Sequence, residues 1–135
     1  MIVADASVVI DMLLGAGSEA GDDLATRFGS GEIICVPHLL DAEVAQVLRR
    51  YVLRGSISRA AAAERVTDLV NLPVRRFPHT ILVERALELH NHVTIYDGLY
   101  LALAEVLDAP LLTGDAALAG VPGCSAVVKV VRTSG

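Results

Sequence analysis

Two kinds of hydrophobic run alternate along this chain. Ile2-Val3-Ala4, the apolar part of Glu32-Ile33-Ile34-Cys35-Val36, Leu111-Leu112 and Ala126 to Val131 are short and nearly unbroken, as strands buried on both faces are. Between them, apolar residues recur at helical spacing. Ser7 to Leu14 reads as a brief helix stopped by Gly15-Ala16-Gly17, and a second runs from about Glu19 to Phe28 between Ser18 and Gly29-Ser30-Gly31. After Pro37, the residues Leu40, Val44, Val47, Leu48 and Tyr51 fall at relative positions 0, 4, 7, 8 and 11, an amphipathic stripe with Gly55 placed to cap it. Ser58 is placed to open the next helix, whose predicted apolar face is Ala62, Val66, Leu69 and Val70. Val74 to Phe77 fits a short strand and Thr80 to His90 one further helix. Thr94 opens the most apolar helix, which breaks at Asp108-Ala109-Pro110. Beyond Asp115, a turn or helix at Ala116 to Leu118 leads through Gly120-Val121-Pro122-Gly123 to the last strand.

Strands alternating with helices predict an α/β fold, a parallel sheet covered on both faces. Ligands of such sheets bind outside the carboxyl ends of the strands. Asp5 follows the first strand, Asp41 and Glu43 open the helix after the second, and Asp115 follows Leu111-Leu112. The pattern therefore predicts several acids on one edge.

Composition narrows the picture. The 135 residues fit one domain, 1–135. With 53% hydrophobic residues, 4% aromatics and no Trp, the core must come from Leu, Val, Ile and Ala. No basic region precedes an apolar run at the N-terminus, so no signal peptide is expected. The tract from Leu99 to Leu107 is broken by Glu105, well short of a membrane span. Cys35 and Cys124 lack CxxC spacing and read as reduced thiols, and a cytoplasmic protein is expected. A net charge of −5 argues against coating nucleic acid by bulk electrostatics. Seven of the eleven basic residues nevertheless lie between Arg49 and Arg76, against only Glu64 and Asp68, which makes that segment locally +5.

Each acid alone has a structural explanation. Thr94 to Asp97 matches a capping box, Asp5 and Asp115 each precede a short helix they would cap, and Glu43 complements its helix macrodipole. Together they mean more, because clustered carboxylates raise one another's pKa unless a cation neutralises them. Oxygen ligands without His or Cys point to a hard ion, Mg²⁺ or Mn²⁺, which keeps waters and leaves room for a substrate phosphate.

Asp5-Ala6-Ser7 after the first strand, Glu43 with Val47-Leu48-Arg49-Arg50, Tyr96-Asp97-Gly98-Leu99-Tyr100-Leu101-Ala102-Leu103-Ala104, and Thr113-Gly114-Asp115 together resemble a PIN domain. More narrowly, they resemble a VapC-type toxin of a bacterial toxin–antitoxin pair. The resemblance spans essentially the whole chain in motif order and spacing. Many relatives carry Ala where Gly98 stands here. It implies a three-layer α/β/α sandwich around a mostly parallel sheet. It also implies an Mg²⁺- or Mn²⁺-dependent endoribonuclease that acts as a toxin, usually a homodimer, silenced by a cognate antitoxin. Asp5, Glu43, Asp97 and Asp115 would bind metal directly or through water, and Ser7 and Thr113 would orient those carboxylates or a bound water. The alternative is a PIN-fold module that binds metal and a partner without catalysis.

Other features carry less. Asp11, one turn beyond Ser7, reads as a surface acid, and Asp41 as a capping or solvated one. Arg50 and Arg54 return to nearly the face of Glu43 about 10 and 16 Å further along. They are candidate contacts to RNA phosphates, or else a solvated basic face or antitoxin contact. His90-Asn91-His92 spells HNH but sits at a predicted helix end, where His suits the dipole and Asn the left-handed turn. His38 and His79 look like helix-start residues. The glycine turns lack GxGxxG and GxxxxGK spacing, and no Ser-His-Asp arrangement can be assembled. A phosphatase on a similar sheet would need a second acid two residues after its acid nucleophile, where Ser7 stands.

Overall fold

Three apolar residues are enough for a strand here because the flanking strands and helices bury every side chain on it. Strand β1 (Ile2–Ala4) is wholly buried. In the computed structural model, which describes residues 1–135, it is the centre of a five-stranded parallel sheet. The other strands are β2 (Ile34–Pro37), β3 (Arg75–Phe77), β4 (Leu111–Thr113) and β5 (Val128–Val130), in the order β3-β2-β1-β4-β5. Both edges are short and carry charge, Arg75 and Arg76 on β3 and Lys129 on β5, which discourages pairing with another chain.

The helices are α1 (Ala6–Leu13), α2 (Glu19–Gly29), α3 (Leu39–Leu53), α4 (Arg59–Val70), α5 (Val83–Glu88) and α6 (Ile95–Leu107). Crossovers between parallel strands are right-handed. The chain steps outward from β1 to β2 to β3, then returns across the sheet to β4 and β5. Reversing direction with the same hand moves the helices to the opposite face. The core divides accordingly. Ile2, Ala4, Ile34, Val36 and Leu112 pack with residues of α1 to α4, whereas Val3, Cys35 and Leu111 pack with α5 and α6. The result is the α/β/α sandwich with a fully parallel sheet.

Helix α6 buries seven consecutive residues, Gly98 to Ala104, because it lies between the sheet and α5. Burial of each of Leu99, Leu101 and Leu103 contributes about 2 kcal/mol. The helix ends at Asp108, the single non-glycine residue with positive φ, 49°. A short polar side chain tolerates that conformation, and Pro110 two residues later prevents continuation. Gly55 follows α3 at φ 74°, as its capping role requires.

Three local expectations change. The single helix over Thr80 to His90 is a 3₁₀ turn, His79–Ile81, followed by α5, with Leu82 between them at φ −120°. Val66 and Val70 of α4 are exposed, and only Ala62 and Leu69 of that stripe are buried. The last strand is shorter than Ala126 to Val131. No helix is long and apolar enough to cross a membrane.

Candidate functional site

The reversal of strand order at β1 and β4 opens a crevice at their carboxyl ends. Val3 pairs with Leu111 and Ala4 with Leu112, so the next residues, Asp5 and Thr113, stand side by side. Thr113 Oγ1 donates a hydrogen bond to Asp5 Oδ2 and accepts one from the Asp115 N–H at 3.0 Å. Asp5 also caps α1: Oδ1 accepts from Ser7 N at 3.1 Å, Ser7 Oγ at 2.6 Å and Val8 N at 3.4 Å. Ser7 Oγ in turn accepts from Gly114 N at 3.0 Å. Ser7 and Thr113 thus lock the buried Asp5 carboxylate and stitch the end of β1 to the end of β4. Oδ1 is saturated, while Oδ2 retains acceptor capacity.

Glu43 and Asp97 reach the same crevice from α3 and α6. Tyr100 Oη donates to Glu43 Oε1 at 2.6 Å. Thr94 Oγ1 accepts from Asp97 N at 3.1 Å, so Thr94 caps α6, but the Asp97 carboxylate takes no bond from the Thr94 backbone N–H in return. The reciprocal half of the expected capping box is therefore missing. Asp115 is exposed, and its Oδ1 caps the following 3₁₀ turn through Ala117 N at 2.9 Å.

The charges of these groups are mutually felt. Burial pushes the Asp5 carboxyl above its usual range, opposed by the hydrogen bonds from Ser7, Thr113 and Val8. Burial likewise raises Glu43, offset by the Tyr100 hydroxyl and reinforced by the charges of Asp97 and Asp5. Asp97 is raised first by burial, then by Asp115 and Asp5, opposed by the Thr94 hydroxyl. Burial and the neighbouring Glu43 charge hold the proton on Tyr100, so its hydroxyl stays a donor to Glu43. No ion pair in the protein includes any of the four acids. A cluster of oxygen donors without a protein countercharge fits a hard divalent cation. No three of these side chains close on a point where they would hold an ion directly. That spacing suits an ion that keeps several waters and takes one or two carboxylates.

Tyr100 is the functional candidate missed in the sequence. It lies three residues after Asp97, one turn along the same helix, and that spacing was the available signal. Asp11 is buried rather than on the surface: it accepts from Ser18 Oγ at 2.6 Å and, from the far end of the chain, from Ser134 N at 2.7 Å and Ser134 Oγ at 2.9 Å. Asp41 is in a two-pronged pair with Arg76, 2.8 and 3.0 Å. Arg50 and Arg54 separate: Arg50 lines a groove with Glu43, whereas the Arg54 guanidinium lies 4.7 Å over the Tyr51 ring. His90 and His92 are exposed in a turn, and His90 Nδ1 is 2.9 Å from the Leu87 carbonyl. The HNH string holds no metal cluster. His38 and His79 do start helical segments. Cys35 and Cys124 are free, with burial raising both thiols.

The family model described as PIN domain matches residues 2–123. The chain belongs to the PIN-domain family. Within that family it is 46% identical over 132 residues to Ribonuclease VapC1 of Mycobacterium tuberculosis, covering 96% of this chain and 97% of that protein. Two solved structures share the PIN architecture. The protein PAE2754 from Pyrobaculum aerophilum superposes with a TM-score of 0.69 at 21% identity, covering 96% of this chain and 83% of that one. A toxin-antitoxin complex from Klebsiella pneumoniae gives 0.65 at 19% identity, covering 96% and 97%. Similarity at these identities speaks for the PIN fold.

Proposed function

We propose that this protein is the endoribonuclease toxin of a toxin–antitoxin pair, cutting RNA with Mg²⁺ or Mn²⁺ held, directly or through water, by Asp5, Glu43, Asp97 and Asp115. One observation carries the reading: four carboxylates from four separate segments lie near enough at the switch point of the sheet to feel a neighbour's charge, with no ion pair of the protein to balance them. The similarity to a protein named as a VapC ribonuclease supports the RNA substrate. Likeness to a toxin-antitoxin complex supports an antitoxin partner, and a homodimer is what the resemblance to VapC-type toxins implies.

When bound, the cation supplies positive charge against the phosphate oxygens and makes water more acidic. The chain's own residues do the rest. Asp5 is fixed by Ser7 and Thr113, so it meets ligands in one rotamer without reorganising. Tyr100 holds Glu43 facing the crevice. Asp97 in the first turn of α6 and the exposed Asp115 would orient water for in-line attack on the phosphodiester. Arg50 lies along the groove that leads away from Glu43, where it would meet a flanking phosphate. Arg54, stacked on Tyr51, would contact the strand beyond it.

The test is cleavage of total RNA with Mg²⁺ or Mn²⁺, beside EDTA and an Asp97→Asn variant. Cleavage is expected only with metal and intact Asp97. Cleavage that survives both controls would overturn the carboxylate–metal reading, and no cleavage of any RNA by the native protein would favour a PIN-fold binding module.

A further inference from the structure

A groove of about 380 Å³ starts at Ser7 and Glu43 and runs beside α3 past Gln46 and Arg50 to Tyr51. Its opposite wall is the C-terminal segment Thr133–Ser134. That wall is anchored. Asp11, 6% exposed, spends both carboxylate oxygens on Ser134, through N–H and hydroxyl, and also takes the Ser18 hydroxyl. Thr133 lies so close to Gly114 that a Cβ there would stand 2.3 Å from Thr133 Cγ2. A polar, terminal segment would ordinarily fray. Here it is held against the turn that carries Asp115.

The facing side chains are those that read nucleotides. Gln46 offers a donor and an acceptor on one planar amide, Arg50 a forked cation, and Thr133 and Ser134 hydroxyls. The side chains of Gln46 and Arg50 are exposed and engaged in no hydrogen bond or ion pair. The volume suits one unstacked nucleotide.

We infer that this groove is a base-reading subsite for a single nucleotide of single-stranded RNA next to the scissile phosphate. Gln46 pairs with the base edge, Arg50 takes the phosphate, and the Asp11-anchored tail forms the wall that sets the groove's width. The inference rests on the nuclease reading for the position of the cut, but not for binding. Gln46 is a specificity-determining residue, and Asp11 is a positioning residue that acts through Ser134.

The experiment measures binding and cutting separately. Fluorescein-labelled single-stranded RNA oligonucleotides, varied one position at a time, are titrated with native protein, Gln46→Ala and Asp11→Asn in EDTA. Cut-site frequencies on a mixed RNA are then read with Mg²⁺, and melting curves confirm folding. Gln46→Ala should lose affinity about 5- to 100-fold for the preferred base at one position and flatten cut-site preference there. Asp11→Asn should relax the same position, an effect that mere destabilisation would not confine to one nucleotide. Variants that bind every oligonucleotide as the native protein does, with unchanged cut sites, would overturn the subsite while leaving the nuclease reading intact. Position-specific losses in binding without any cleavage by the native protein would support the subsite and overturn the nuclease reading.

Discussion

Replacing Tyr100 by Phe removes one oxygen atom and little else. The ring is 2% exposed and stays in place, so no cavity opens. What is lost is the 2.6 Å hydrogen bond to Glu43 Oε1. Hydrogen bonds to a charged group contribute about 1.5–3 kcal/mol. If Glu43 must be held ionised and oriented during the reaction, that loss lowers kcat/KM by about 10- to 100-fold. The direction with pH follows from the same bond. Tyr100 opposes the burial and the charges of Asp97 and Asp5 that push the Glu43 carboxyl upward. Without the hydroxyl, Glu43 binds its proton more tightly, and the acid limb of the rate profile moves to higher pH. The assay is initial rate of cleavage of a defined RNA across pH at fixed Mg²⁺, with thermal melting alongside. A Tyr100→Phe protein whose rate stays within about twofold of native at every pH would refute a positioning role for the hydroxyl.

Three further outcomes follow from the structure. The two-pronged bond from Arg85, with help from Ser125, pulls the Glu105 carboxyl from its ordinary 4.5 down to about 2. A depressed carboxyl contributes stability that is complete above its unfolded pKa and lost as pH falls from about 4.5 toward 2. The loss is at most about 3 kcal/mol, and about 1–2 kcal/mol once the solvent reaching Arg85 is allowed for; urea melts of Glu105→Gln should show a flatter decline over that range. At Gly98 an added Cβ would meet Ala86 Cβ at 3.0 Å and its Cα at 3.1 Å. Gly98→Ala, although it improves helix propensity by about 1 kcal/mol, should therefore give a net loss of about 1 kcal/mol in chemical denaturation as α5 is pushed away. Mg²⁺ at about a hundred times its Kd should stabilise the native protein by about 2.7 kcal/mol, seen as a rise in Tm that Asp115→Asn reduces.

The parts legible in the sequence were those fixed by neighbours along the chain. Ile2-Val3-Ala4 and the stripe from Leu40 to Tyr51 announce their elements because a period of few residues decides which face is buried. Asp5, Glu43 and Asp115 were readable as acids of one edge because each sits where a strand ends or a helix begins, whereas Asp97 joined them only through the resemblance to PIN domains. The parts that were not legible depend on residues far apart. Asp11 looked like a surface acid because its partner Ser134 lies 123 positions away. Asp41 takes Arg76 from 35 residues on, which removes that arginine from the apparent basic run. Val66 and Val70 have helical spacing, but no element of the chain covers them. Leu82 interrupts the expected helix after His79 where the chain turns into α5 against α6. The Tyr100 hydroxyl was hidden because Tyr in an apolar helix reads as core, and only the approach of α3 gives it Glu43.

The central claim is that acids from separate elements act as one site, and a double-mutant cycle tests it most directly. The variants are Glu43→Gln on α3 and Asp97→Asn on α6, residues on separate helices whose charges the fold brings within reach of each other. The measurement is the RNA cleavage rate at saturating Mg²⁺ for each single variant and for the pair. Residues that work as a unit are strongly non-additive. Each single change should cost about 100-fold or more, and the pair little beyond the worse of the two. Costs that multiply, or a single variant that cuts RNA at the native rate, would contradict a shared four-carboxylate centre.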